Sequence, residues 1–177
     1  MFLAKRLADA LTAGRAALAL TLAALGLPRG TDLLPAAAFI LLACWFTDLF
    51  DGALARRSGL QAHTWIGDHD LEIDVLVSLG LLVYLVGSGY LAPLYALAYL
   101  LLWGLIFRRW GWRRDPAMLF QAPIYLWFLI VAVRDAPQAG WWLVGWILTL
   151  IVVTWPRFPR EVVPGFLAGM RQAWRQD

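Results

Sequence analysis

The stretch Thr47–Arg57, TDLFDGALARR, follows an apolar run, Leu34 to Phe46, that carries no charge. Two aspartates three residues apart therefore stand at the end of what reads as a membrane helix, and an arginine pair comes directly after. Ionised carboxylates are expensive in that position and are kept where they do chemistry. Asp48 and Asp51 share one helix face at i, i+3.

Composition fits the membrane reading. The chain has 177 residues, of which 62% are hydrophobic and 15% charged, and its mean hydropathy is +0.67. A soluble domain carries about 25% charged residues and is about half apolar. Eleven tryptophans and five tyrosines suit membrane interfaces. The expected class is an all-α integral membrane protein of one domain over 1–177. Cys44 is the sole cysteine; it excludes an intramolecular disulfide and a thiolate metal site and reads as a small apolar residue. The net charge of +3 comes from arginines clustered between apolar segments, which suits topology and anionic lipid rather than nucleic acid.

A span needs roughly 20 apolar residues. Six are predicted, at about 12–27, 33–55, 70–88, 90–107, 117–133 and 139–155. Pro28–Gly30, Gly87–Gly89 and Asp135–Pro137 supply turn chemistry between them. Lys5, Arg6, Arg56, Arg57, Arg108, Arg109, Arg113, Arg114, Arg157, Arg160, Arg171 and Arg175 fall on one side of six crossings, and Arg29 and Arg134 on the other. Positive-inside bias then places both termini, the 56–69 loop and the tail 156–177 in the cytoplasm. MFLAKRLADAL, residues 1–11, spaces Phe2, Leu3, Leu7 and Leu11 as a short interfacial helix would. No small-x-small cleavage site stands out before Asp32, so the segment is not read as a signal peptide.

A second acidic pair, Asp70 and Asp74, shares a face at i, i+4 near the cytoplasmic start of the third helix. An antiparallel hairpin brings it to Asp48 and Asp51. Four convergent carboxylates raise one another's pKa unless a cation neutralises them. All-oxygen ligation favours Mg²⁺ or Mn²⁺ over zinc. Gly52 and Ala55 leave a cleared patch beside the carboxylates, and Arg56, four residues after Gly52, can hold a phosphate oxygen. Together these residue types describe a diphosphate site. The plainer reading is that Asp48 and Asp51 pair with Arg56 and Arg57 at an interface.

At these residues the chain resembles the CDP-alcohol phosphotransferases, whose signature is D-x2-D-G-x2-A-R-x8-G-x3-D-x3-D. Asp48, Asp51, Gly52, Ala55 and Arg56 match the first half, and Asp70 and Asp74 the final D-x3-D. The join departs from the pattern: ten residues lie between Arg56 and Gly67 and two between Gly67 and Asp70. Asp68 and Glu72 form a competing i, i+4 pair. Upstream, DALTAGR gives Asp9, Thr12 and Arg15, similar to the family's N-x-x-T-x-x-R with Asp in place of Asn. TWIG, Thr64 to Gly67, resembles the family's stretch before the third aspartate. The resemblance implies a cytosol-facing site, in a bacterial or archaeal cytoplasmic membrane, for CDP-diacylglycerol or a related CDP-alcohol. It implies two divalent ions, Mg²⁺ or Mn²⁺, held by Asp48, Asp51, Asp70 and Asp74, with Asp74 as general base. Gly52 and Ala55 would admit the nucleotide, and Arg56, Thr12, Arg15 and Thr64 would contact phosphates. The products would be CMP and a phosphodiester-linked lipid, in phospholipid biosynthesis, with the lipid tails leaving between helices and the protein expected as a homodimer.

The hydroxyl acceptor, whether polyol, polyol phosphate, serine or lipid, is left open. RRWGWRR, residues 108–114, offers an acceptor-phosphate site or simply a positive-inside loop with interfacial tryptophans. DHDLEIDVLV lacks the proline and lysine of the LDPxADK run common in glycerol-phosphate enzymes. His63 and His69 read as polar loop residues. Two rival classes are an intramembrane prenyltransferase and a non-enzymatic, ion-coupled membrane protein; the Asp spacing argues against the first, and carboxylates at one face rather than mid-membrane argue against the second. A family member that has lost activity is a third possibility, which the altered join allows.

Overall fold

The structure is a computed structural model and describes residues 2–27, 33–58, 69–156, 159–160 and 164–168, with side chains omitted for 2–9 and 51–58. Among these residues the chain is all-helical. The long helices are α1 (Phe2–Leu25), α2 (Leu34–Ser58), α3 (Asp70–Gly87), α4 (Pro93–Trp110), α5 (Arg114–Asp135) and α6 (Pro137–Val153). Each of the six apolar segments thus becomes one helix. Proline opens α4 and α6 in the first turn, where its missing N–H costs nothing. Gly89, at φ 81°, and Gly111, at φ 77°, reverse the chain after α3 and α4 in a conformation that side chains resist.

One expectation changes. The interfacial helix over 1–11 is not separate, because α1 runs unbroken for 24 residues, about 36 Å; no proline interrupts it. Among the described residues, α5 alone is both long and apolar enough, by length and composition, to cross a membrane; Ala10–Leu25, Leu34–Phe50 and Pro137–Val153 are shorter apolar stretches. Asp70, Glu72 and Asp74 in α3 and Arg108 and Arg109 in α4 lower the hydropathy of those two helices.

The core forms where α1 packs on α2 and α3, α5 on α3 and α6, and α2 on α6. Leu22, Leu41, Leu81, Leu85, Phe128 and Leu143 are fully buried there. Between α1 and α3 the backbones nearly touch. A Cβ on Gly80 would lie 2.3 Å from the Ala19 carbonyl oxygen, and one on Gly87 would lie 2.0 Å from that of Gly26. Small residues permit such an approach, which gains dispersion contacts between the two backbones. The contacts advance along both helices in step, so α1 and α3 run in the same direction.

α4 is held mainly by rings. Tyr99, Trp103 and Phe107 surround Phe120 of α5, and the Tyr99 hydroxyl donates to the Phe120 carbonyl at 2.5 Å. Much of the rest of α4 is exposed, Leu94 at 72%, Leu101 at 62% and Leu105 at 66%. At the α5–α6 turn Arg134 grips Asp135 through Nε at 2.8 Å and Nη2 at 2.7 Å. Those hydrogen bonds hold the Asp135 carboxyl below the usual carboxylate range.

The close approach generates a prediction. Gly80→Val should lower the thermal midpoint in detergent by the equivalent of about 1–3 kcal/mol, the cost of overpacking. Gly104→Ala, whose Cβ meets nothing within 4 Å, should hold or raise it by up to about 1 kcal/mol. Equal effects from the two would mean that α1 and α3 do not pack this closely.

Candidate functional site

The site is organised by Arg15, which is 1% exposed. α1 carries it on the face that meets both α2 and α3, one turn beyond Thr12, which is also buried. Nη1 of Arg15 donates to Asp48 Oδ1 at 2.5 Å and to Asp74 Oδ1 at 2.6 Å. Nη2 donates to Asp70 Oδ1. A planar guanidinium with five N–H donors suits such a fork; a lysine ammonium has three donors at a single nitrogen.

The three aspartates come from two helices. Asp48 sits four residues after the buried Cys44 on α2. Asp70 opens α3, where its negative charge complements the helix dipole, and Asp74 follows one turn later. One carboxylate oxygen from each lies within 4.8 Å of the others. Their side chains are 51%, 48% and 34% exposed for Asp48, Asp70 and Asp74, so the cluster is rooted on a buried cation and open to solvent on its far side.

Among the described residues, three carboxylates against one guanidinium leave two negative charges, which a single divalent ion balances. The donor set is all oxygen and suits a hard cation such as Mg²⁺ or Mn²⁺. Oδ2 of Asp48 and of Asp70 has no hydrogen bond among the described residues, which leaves ligand capacity beside the arginine. On charge and donor chemistry the residues fit a divalent metal.

Arg15, Asp48 and Asp74 line a cavity of about 320 Å³ together with Trp45 of α2 and Arg114, Gln121 and Tyr125 of α5. A second cavity of about 440 Å³ adjoins it, sharing Trp45, Asp48, Ala122 and Tyr125 and continuing along Leu126, Leu129, Ile147 and Leu150. The first is polar at its base; the second is almost wholly apolar.

The structure therefore brings Asp48, Asp70 and Asp74 together, while Glu72 of the competing pair is exposed on α3. Arg15, expected to contact a phosphate, has its guanidinium among the carboxylates. Asp51, Gly52, Ala55 and Arg56 lie on the last turns of α2, with side chains outside the described residues, and Thr64, Gly67 and Asp68 lie outside them altogether. His69 precedes α3 and gives it no side-chain cap. Gln121 and Tyr125 were not singled out in the sequence. Their signal is slight: an uncharged amide followed at i+4 by a tyrosine inside an apolar segment.

Replacing Arg15 with methionine should destabilise the fold. The loss should be smaller than the roughly 3–5 kcal/mol of breaking a fully buried pair, because water screens the half-exposed carboxylates. Added Mn²⁺ should raise the thermal midpoint of Arg15→Met more than that of the unaltered protein, since the ion takes over the neutralisation. If Mn²⁺ moves neither midpoint, the cluster is not a cation site. No protein-family model, curated protein or solved structure matches this chain, and the chemistry of the cluster rests on its own residues.

Proposed function

We propose that this protein is a six-span, metal-dependent membrane transferase that moves a phosphoalcohol group, such as phosphatidyl, from a CDP-alcohol to a hydroxyl acceptor and releases CMP. The observation that carries the reading is the convergence of Asp48, Asp70 and Asp74 from two helices onto one point, at residues similar to the signature of the CDP-alcohol phosphotransferases. The adjoining cavities add support: a polar chamber at the carboxylates for diphosphate and acceptor, and an apolar channel beside it for a lipid tail. The bare leucines of α4 and the exposed Trp141, Trp142, Val152 and Val153 of α6 suit contact with lipid rather than water. Both termini and the site would face the cytoplasm, and the protein would act as a homodimer.

Asp48, Asp51, Asp70 and Asp74 would hold the divalent ions, two in the full site. Bound there, the metal supplies charge neutralisation for the diphosphate and for CMP as it leaves. Arg15 keeps three of these carboxylates together and at fixed separation. Arg56 would bind a phosphate oxygen of the donor, and Gly52 and Ala55 would leave room for the nucleotide. Asp74, which lines the chamber, accepts the proton of the acceptor hydroxyl. The hydroxyl oxygen forms a bond to the phosphorus nearest the lipid, the bond from that phosphorus to the bridging oxygen breaks, and CMP carries that oxygen away.

A second reading has one observation in its favour. Arg15 already neutralises part of the cluster, so the four side chains can serve as a structural lock in a non-enzymatic membrane protein.

The decisive measurement is CMP release by purified protein given CDP-diacylglycerol, Mg²⁺ or Mn²⁺, and a panel of alcohols. Release that stops on chelation is expected; none with any acceptor favours the lock. Asp74→Asn should cut turnover by about 10²–10⁴-fold, the contribution of a general base, while CDP-lipid still binds. Arg56→Ala should raise the KM for the CDP-lipid more than that for the acceptor. Resistance of the protein to extraction from membranes by alkaline carbonate checks the location.

A further inference from the structure

Arg114, Met118, Gln121 and Tyr125 recur at i, i+4, i+7 and i+11 along α5 and so form one stripe. That stripe is the wall of the polar chamber facing Arg15, Asp48 and Asp74. Gln121 is 7% exposed, and its amide orientation is dictated by its neighbours. Its Nε2 donates to the Ala117 carbonyl at 3.2 Å. A carbonyl oxygen can only accept, so the amide cannot be turned over without setting two oxygens against each other. Oε1 therefore points to Tyr125, whose hydroxyl donates to it at 3.2 Å.

A tyrosine hydroxyl has one proton, and here Gln121 takes it. What remains on the Tyr125 oxygen is lone-pair capacity. Opposite stand carboxylates, which also only accept when ionised. The Tyr125 oxygen and the carboxylates thus face each other as acceptors, so a ligand that bridges them brings a hydrogen-bond donor to each. Arg114, at the start of α5, supplies the chamber with a cation, and it makes no ion pair among the described residues.

We propose that Tyr125, fixed as an acceptor by Gln121, is a positioning residue for the acceptor alcohol and selects a polyol. One hydroxyl is delivered to Asp74 and reacts; a second, non-reacting hydroxyl donates to the Tyr125 oxygen. Arg114 extends the preference to a polyol that carries a phosphate. This inference rests on the transferase reading and names its acceptor class.

The test compares glycerol 3-phosphate with 3-hydroxypropyl phosphate, its analogue without the second hydroxyl, as acceptors for CDP-diacylglycerol with Mn²⁺, following CMP. The unaltered protein should favour the polyol by roughly 3- to 10-fold in kcat/KM, the worth of one neutral hydrogen bond. In Tyr125→Phe the ratio should collapse to about one, with the change in the acceptor KM and the KM for the CDP-lipid as a control on folding. Gln121→Leu frees the tyrosine proton and should shrink the same ratio, whereas a purely structural role for Gln121 would lower both rates together and leave the ratio alone. An unaltered protein that uses both acceptors equally, or a Tyr125→Phe variant that keeps the preference, overturns the polyol assignment. Absence of CMP release with these and with serine, ethanolamine and inositol phosphate overturns the transferase reading itself.

Discussion

A buried guanidinium binds three aspartates from two other helices, and the arrangement of the bundle depends on it. Removing an ion from water costs several kcal/mol even after relaxation, and burial of such a group is weak evidence for stability in itself. Arg15 meets that cost with hydrogen bonds to Asp48, Asp70 and Asp74. An apolar side chain of similar size would fill the same volume without the desolvation. What the arginine adds is geometry: it fixes the rotation of α1 against α2 and α3 so that three carboxylates share one point. Ionisable groups placed this way in an apolar bundle mark function more often than strength.

Much of this was legible in the sequence. The apolar segments and their turns mark six helices, because hydropathy and glycine or proline chemistry are local. The convergence of Asp48 with Asp70 and Asp74 is legible because i, i+4 spacing places the latter two on one face, and because adjacent antiparallel helices bring such faces together. The partner of the carboxylates was not legible. Arg56 and Arg57 are near in sequence, but the pairing seen for Asp48 is with Arg15, 33 residues away. Which face of α1 meets α2 and α3 is decided by packing, and a single arginine in an apolar helix does not reveal its direction. The α5 wall was hidden for a related reason. Gln121 and Tyr125 look like isolated polar residues until a tertiary cavity gives them a common side.

The continuous α1 has a similar explanation. Lys5, Arg6 and Asp9 suggest a polar lead-in, yet alanine and leucine dominate Phe2–Leu25 and favour helix throughout. Charge pattern speaks to where a segment sits relative to water; backbone continuity depends on whether anything breaks the hydrogen-bond ladder. Nothing in this segment does.

The ion cluster and the close backbone contacts belong to one interface. Arg15, Ala19 and Leu22 recur along the same face of α1, and Gly26, just past its end, continues the i, i+4, i+7, i+11 spacing. Arg15 meets Asp74, Ala19 meets Gly80, and Gly26 meets Tyr84 and Gly87. The glycine of α3 and the alanine of α1 set how near the backbones come, and that distance sets whether one guanidinium can span Asp48 on one side and Asp70 and Asp74 on the other. A side chain at residue 80 would push α1 away from α3 within two turns of Asp74. The carboxylates would then lose their common anchor before any of them was altered. The small residues, which carry no chemistry of their own, are in this sense part of the site, and the spacing of its acidic groups is set by backbone contact as much as by charge.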